Sequence, residues 1–116
     1  MALLKYAVLI LITLSHTAFA QYVGPSNLVK TELSQIIDKP VDDDYVKVQG
    51  YLIKKVSSDK YILSDGKQQI RVEIDDYVFP SQPFGENDLI EIEGEIEKDF
   101  LESPEIDVNR LTVINK

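Results

Sequence analysis

The stretch YVKVQGYLI, residues 45–53, decides the predicted fold because its apolar and polar residues alternate around a glycine. Val46, Val48 and Leu52 point to one side of such a strand, and the polar residues between them point to the other. Gly50 falls on the apolar side, where the missing side chain is typical of a bulge or a sharp bend. The stretch therefore predicts a strongly curved β-strand with one buried face.

The remainder of the chain after this strand carries further strand patterns separated by turn residues. Asp65-Gly66 predicts a hairpin turn, because glycine tolerates a positive φ. Residues 76–87 contain two prolines and a glycine, and predict a long connection with one helical turn at its start. A slip of register is expected near Asn109-Arg110. The five predicted strands cover residues 45–53, 60–64, 69–75, 89–97 and 106–113.

A short helix is predicted upstream of the strands, over residues 27–38. Its apolar residues recur at helical spacing, Pro40 ends it, and Ser26 or Asn27 can cap its start. So short a helix is marginal alone and must pack against the strands. The apolar residues of this predicted face are Val29, Leu33, Ile36 and Ile37.

The order of these elements predicts an all-β fold with one short N-terminal helix. Five strands, the first of them strongly curved, can close into a small barrel and so remove the exposed sheet edges. A three-strand meander, a long break and two more strands is the arrangement of a five-stranded OB-fold barrel, with its strands between residues 45 and 114. The alternative is an open α+β sheet with the helix on one face.

Residues 1–20 have the features of a cleaved secretory signal peptide. Lys5 supplies the positive charge, an apolar run of nine residues follows, and Ala18-Phe19-Ala20 is a small-x-small cleavage site. The run is too short for a spanning helix. We therefore expect a mature domain of residues 21–116 in the periplasm, with no membrane span after cleavage.

Composition and charge exclude several classes of function. The chain has 12 basic and 20 acidic residues, a net charge of −8, and cleavage removes one basic residue, Lys5, to give −9. Nucleic acid is therefore not an expected partner. The chain has no cysteine, and its single histidine, His16, lies in the signal peptide. Cysteine or histidine nucleophilic catalysis and histidine-ligated zinc are excluded from the mature domain, and we expect no cofactor.

Three groups of acidic residues need an interpretation. Asp42, Asp43 and Asp44 lack the spaced ligands of an EF-hand loop, so a solvated turn is favoured over a divalent-cation site. Glu91, Glu93, Glu95 and Glu97 share one strand face, which is either a solvated surface or a patch for a cationic partner. Asp75 and Asp76 could form a hydrolytic pair, but adjacent strand residues point to opposite faces. We expect no enzymatic activity and no metal site.

The ligand face of an OB-fold is built on its second and third strands and the loops beside them. Its outward residues here would be Tyr51, Lys60, Ile62, Arg71 and Glu73. A sugar or a peptide could use Tyr51 as an apolar platform and the charged residues as polar anchors. The alternative is a solvent face carrying an Arg-Glu ion pair of small value.

Several segments together resemble a known family. They are Val23-Gly24-Pro25-Ser26, residues 43–53, residues 59–66, residues 70–75, Gly94-Glu95-Ile96-Glu97-Lys98-Asp99 and Glu105-Ile106-Asp107-Val108. The chain thereby resembles the bacterial OB-fold family of small periplasmic YgiW/YdeI-like stress-tolerance proteins, over essentially the whole mature domain. That family usually has a Trp and then a Gly after the third strand, where this chain has residues 77–80, so a ligand contact of that Trp does not carry over.

The resemblance implies a non-enzymatic periplasmic binding module linked to tolerance of envelope, oxidative or cationic-peptide stress. It suggests a small ligand, a cell-wall sugar or a cationic envelope partner. The alternative is an acidic interaction protein that docks a basic envelope partner and binds no small molecule. The pattern of residues leaves the ligand, the stress and the oligomeric state open.

Overall fold

The structure, a computed structural model, describes residues 29–115, so the predicted signal peptide lies outside the described residues. Helix α1 and strands β1 to β5 are Leu33–Asp38, Tyr45–Lys55, Lys60–Ser64, Gln69–Glu73, Leu89–Glu97 and Glu105–Asn115. A short 3-10 helix, Asp76–Val78, opens the long connection between β3 and β4, as the sequence predicts. Within residues 29–115, no helix has both the length and the apolar character needed to span a membrane.

The five strands form a closed barrel in the order β1-β2-β3-β5-β4. All neighbouring strands are antiparallel except β3 and β5, which run parallel and pair only over Arg71–Glu73 and Glu105–Asp107. The five-stranded barrel is thereby confirmed, and the open-sheet alternative is wrong. β3 and β5 form the parallel pair that closes the ring. The alternation of apolar and polar residues along the sequence does not predict this pairing.

The barrel interior is filled by the apolar side of each strand. The residues with period-two spacing in the sequence are buried, and the polar residues between them face outward. Two helix residues, Leu33 and Ile36, join this core. The fully buried side chains include Val46, Val48, Leu63, Val72, Ile74, Ile90, Ile92, Ile96 and Ile106.

The bulge in β1 lies beyond Gly50, the position at which the sequence suggested a bulge or a sharp bend. The bulge lies between Leu52 and Lys54, whereas Gly50 keeps regular pairing with Ile90. A Cβ on Gly50 would lie 2.6 Å from the carbonyl oxygen of Ser64. The glycine is therefore required by the close approach of the β2 backbone.

A second close approach occurs at an irregularity in the pairing of β4 with β5. A Cβ on Gly94 would overlap the carbonyl group of Asp107. The register between the two strands shifts here, since Glu93 pairs with Arg110 and Gly94 pairs with Val108. This shift leaves out Asn109 and confirms the slip predicted near Asn109-Arg110.

The helix is shorter than predicted, because it begins at Leu33 and not at Asn27. Lys30 is instead in a parallel bridge with Val46: its N–H donates to the carbonyl oxygen of Tyr45, and its carbonyl accepts from the N–H of Lys47. These hydrogen bonds hold the backbone extended and leave Val29 about half exposed, at 47%. The apolar spacing at Val29 was therefore misleading, because its side chain contributes to no helix face.

Candidate functional site

A groove runs along the outward face of β2 and β3, beside the loop that joins β4 to β5. We call it the outer groove. Its volume is about 630 Å³, within the usual range for small-molecule sites. The apolar residues are contributed by α1, β2, β3 and the loop, and the polar residues by β3, the loop and the start of β5. The lining residues are Ile37, Ile62, Gln69, Ile70, Arg71, Glu102, Ser103, Pro104 and Glu105.

An ion-pair network borders this groove and is centred on Glu105. Lys60 Nζ lies 2.7 Å from Glu105 Oε1 and 3.9 Å from Glu73 Oε1. Arg71 Nη1 lies 3.6 Å from Glu105 Oε2. Two cations and two carboxylates therefore balance one another, so the network has no net charge.

Two members of the network have a raised pKa, for different reasons. The hydrogen bond from Lys60 to Glu105 raises the pKa of Lys60, against an opposing effect of burial. Partial burial raises the pKa of Glu73, and the nearby carboxylates Asp107 and Asp59 add to this. Glu73 is thus the member of the network whose negative charge is least favoured.

The structure brings together three of the four predicted site residues, namely Lys60, Arg71 and Glu73. Their pairing differs from the expected one, because Arg71 pairs with Glu105 and Glu73 pairs with Lys60. Tyr51 lies at the far end of the same outward face, opposite Ser64 in the register of β1 and β2. It borders a separate, shallower depression beside Glu86 and Asn87.

Glu105 is the residue that sequence reasoning missed. It is the first residue of β5, and the parallel register places it opposite Arg71. The only local signal is Pro104 at the end of the preceding turn, which fits the start of a strand and says nothing about a partner. The closing pair of the barrel, which is remote in sequence, makes Glu105 the central residue.

The acidic run at residues 42–44 is a structural turn. Asp42 Oδ1 accepts a 2.8 Å hydrogen bond from the N–H of Lys98, and Asp44 Oδ2 pairs with Lys30 Nζ at 2.8 Å. Asp43 has a positive φ of 72°, which Asp tolerates better than most residues. The carboxylates of Asp42 and Asp44 therefore help to hold this turn.

The glutamate stripe of β4 is partly paired. Glu91 lies 3.8 Å from Lys47 Nζ, and Glu93 lies 3.8 Å from Arg110 Nε. Glu95 and Glu97 have no ion pair within residues 29–115. Burial together with Asp107, Glu73 and Glu105 raises the pKa of Glu97. Negative potential is therefore concentrated at the end of the stripe that is closest to the outer groove.

Three carboxylates also meet near the start of β2. Oxygen atoms of Asp59, Glu73 and Asp75 lie within 4.8 Å of one another. A calcium ion takes six to eight oxygen ligands, so these residues would supply at most part of its shell. Asp76, the other half of the postulated hydrolytic pair, lies instead in the 3-10 helix.

The chain is similar in sequence and in structure to known bacterial proteins. The family described as "Bacterial OB fold (BOF) protein" matches residues 16–113. The chain is 33% identical over 98 residues to the calcium-regulated OB-fold protein CarO of Pseudomonas aeruginosa, covering 84% of each chain. It is 34% identical over 74 residues to protein YgiW of Escherichia coli K12, covering 64% of this chain and 56% of YgiW. The solved structure of E. coli YgiW superposes with a TM-score of 0.67 at 30% identity, over 83% of this chain and all of that one.

Proposed function

The chain belongs to the bacterial OB fold (BOF) family, and from this membership we propose that it is a non-enzymatic binding module of the periplasm that supports tolerance of envelope stress. Its ligand face is the outer groove, and Lys60, Arg71 and Glu73 are its polar anchors. Tyr51 extends the same face at the other end of the strand. The relatives support a binding module of this fold. The ligand face and the ligand class are inferred from the geometry of the groove.

The observation that carries the proposal is the charge balance of the ion-pair network that borders the groove. Lys60 and Arg71 are matched by Glu73 and Glu105. A charged ligand would have to break these pairs, whereas a neutral polar ligand can accept and donate hydrogen bonds at their free atoms. The adjoining apolar surface of Ile62 suits the carbon face of a sugar ring. A neutral cell-wall sugar is therefore the ligand class that we favour.

The experiment is a titration of the isotope-labelled protein followed by NMR. The probes are an uncharged disaccharide of N-acetylglucosamine, a lysine-rich peptide and Ca²⁺. We expect the disaccharide to shift the amide signals of β2, β3 and residues 102–105, with an affinity that hardly changes between about 0.05 and 0.5 M salt. The Arg71→Gln variant should bind at least about tenfold more weakly. Arg110→Gln is the matched control, because Arg110 lies on the glutamate stripe.

A second candidate function is based on the glutamate stripe of β4. Glu95 and Glu97 have no ion pair among the described residues, and burial together with the surrounding carboxylates raises the pKa of Glu97. This supports an acidic surface that docks a basic envelope partner without a small ligand. Binding of the lysine-rich peptide, with shifts along β4 that vanish at about 0.5 M salt, would favour this candidate over the groove. Shifts with Ca²⁺ alone, at residues 59 and 73–75, would contradict both.

Export is tested separately. We propose that the chain is cleaved after Ala20, so the N-terminal sequence of the protein isolated from the periplasmic fraction should begin at Gln21. Full-length protein in the cytoplasmic fraction would overturn the periplasmic proposal and leave the groove proposal standing.

A further inference from the structure

The loop between β4 and β5 exposes two large apolar side chains at its tip. Phe100 is 87% exposed and Leu101 is 86% exposed, whereas most other exposed aliphatic residues of the described chain lie below 50%. The N–H of Glu102 donates to the carbonyl oxygen of Asp99 at 3.2 Å and closes the turn. We call Asp99–Glu102 the tip.

The backbone of the tip is also unusual. Leu101 has a φ of +66°, in the left-handed region that favours glycine. A non-glycine residue in this conformation is strained, and such strain tends to be kept where the side chain has a role. Glycine at this position would avoid both the strain and the exposed leucine. The tip is therefore built to present Leu101 and Phe100.

A second feature is an aromatic cleft at the C-terminal end of β1, whose three rings pack against the barrel core and stay partly exposed. Tyr61 and Phe79 meet edge to face at 5.6 Å between ring centroids, and Phe79 stacks on Phe84 at 5.9 Å. Lys55 Nζ lies 5.5 Å from the centroid of the Tyr61 ring. The cleft has a volume of about 480 Å³, and prolines 80 and 83 complete its apolar wall.

The charges around the cleft differ from those of the rest of the chain. Lys54 and Lys55 line the cleft and form no ion pair within residues 29–115, while a single carboxylate, Glu86, lines the other wall. The tip has the opposite arrangement, because its two apolar side chains lie between the carboxylates of Asp99 and Glu102. The two surfaces are thus complementary in both apolar character and charge.

The topology prevents a molecule from filling its own cleft. The antiparallel register pairs Tyr45 with Glu95 and Gly50 with Ile90. The tip follows the C-terminal end of β4, beside the start of β1, whereas the cleft lies at the far end of β1. The two surfaces are therefore at opposite ends of the same strand pair, and only a second molecule can bring them together.

We propose that the tip of one copy docks into the aromatic cleft of a second copy. Phe100 and Leu101 pack against Tyr61, Phe79 and Phe84, while Asp99 and Glu102 lie beside Lys54 and Lys55. This contact joins two different surfaces, so it is heterologous and extends into short chains or closes into a ring. An interface made by one loop is small, so the association is weak and depends on concentration. The proposal does not rest on the function proposed above.

The test is sedimentation velocity of the purified protein between about 10 µM and 1 mM, the range in which small interfaces associate. We expect the average mass of the wild-type protein to rise across this range. A tip variant, Phe100→Ser with Leu101→Ser, should remain monomeric throughout. A cleft variant, Lys54→Glu with Lys55→Glu, should also remain monomeric, since it places carboxylates against carboxylates.

Matched controls distinguish this contact from non-specific association. Tyr77→Ser removes an aromatic side chain that is 85% exposed and should leave the association unchanged. Lys39→Glu with Lys67→Glu reverses two other lysines that have no ion pair among the described residues, and it should also have no effect. A fall in association with either control would overturn the proposal, because the effect would not be specific to the cleft.

Mixing the two monomeric variants gives the decisive result. The tip variant keeps an intact cleft and the cleft variant keeps an intact tip, so an equal mixture should form dimers and nothing larger. A mixture that stays monomeric, a tip variant that associates like the wild type, or a wild-type protein that is monomeric at about 1 mM would each overturn the proposal.

Discussion

The outer groove and the glutamate stripe of β4 have the same kind of sequence, with charged residues alternating with apolar ones, yet the structure treats them differently. In the groove, Lys60 Nζ approaches Glu105 to 2.7 Å, and the Glu105 side chain is only 20% exposed. On the stripe, Arg110 approaches Glu93 to 3.8 Å and is itself 71% exposed. The carboxylates of Glu105 and Glu93 are equally exposed, so the two regions differ in the length of their ion pairs and in the exposure of the basic partner, which is 33% for Lys60 and 71% for Arg110.

This difference shows that the surroundings of an alternating strand decide its role. β4 lies between two long antiparallel neighbours, and its outward face is partly exposed at Glu91 and Glu93 and exposed at Glu95 and Glu97. β3 instead pairs with only the first residues of β5, and the loop before β5 forms a wall beside it. The same pattern therefore gives a solvated surface in one place and a concave site in the other.

The largest expected effect is that of a substitution at Gly94, where β4 lies closest to β5. Gly94→Ala places a methyl group against the carbonyl of Asp107, and backbone cannot move aside as a flexible side chain can. We expect a loss of more than about 3 kcal/mol in the free energy of unfolding, measured by urea denaturation. Gly85→Ala is the control, because a Cβ there meets open space. A loss below about 0.5 kcal/mol for Gly94→Ala would show that β4 and β5 are far enough apart at this point to accept a methyl group.

The next effect distinguishes the two regions directly. Glu105→Ala leaves Lys60 and Arg71 without their shared carboxylate, and we expect a loss of about 1–2 kcal/mol in the free energy of unfolding. Glu93→Ala, on the stripe, should cost less than about 0.5 kcal/mol. Equal losses of unfolding free energy in the two variants would show that the ion pairs of Glu105 and Glu93 stabilise the fold to the same extent.

Sequence reasoning reached most of the fold and only part of the site, for a physical reason. Alternation identified four of the five strands, because burial on one face imposes period two on the residues of a strand, and the short apolar run before the Asp65-Gly66 turn identified the second strand. The helix start was wrong, because Val29 fits helical spacing while Lys30 is bound to β1. Glu105 was missed because its importance comes from a parallel pair formed between residues distant in the chain.

A smaller effect, with a defined pH dependence, is expected where the two regions meet. Burial and neighbouring carboxylates raise the pKa of Glu73, in the groove, and of Glu97, at the end of the stripe, above the ordinary value of 4.5. The folded state therefore holds these protons more tightly than the unfolded state. The resulting stabilisation is complete below the unfolded pKa and is lost as the pH rises through the folded pKa.

Replacing either glutamate by glutamine should therefore increase the free energy of unfolding near pH 7, by about 0.3 kcal/mol after allowance for solvent screening. This gain should disappear below the unfolded pKa. Asp65→Asn is the control with the opposite sign, because N–H groups of Gln68 and Lys67 lower the pKa of Asp65. That variant should be less stable than wild type near pH 7, and its deficit should shrink as the pH falls through the folded pKa of Asp65. Urea denaturation at several pH values measures all three, and a Glu97→Gln variant less stable than wild type near pH 7 would contradict the assignment.

The smallest expected effect is that of Arg110→Gln, and it separates a solvated stripe from an organised acidic surface. Arg110 is 71% exposed and 3.8 Å from Glu93, so its attraction is screened and offset by the entropy of a long side chain. We expect a change below about 0.3 kcal/mol in the free energy of unfolding at 0.15 M salt. At about 0.01 M salt the Debye length is about 30 Å, so the unbalanced glutamates should repel and the loss should become measurable. A large loss that persists at about 1 M salt would mean that Arg110 holds the stripe in a fixed arrangement, and the second candidate function would gain support.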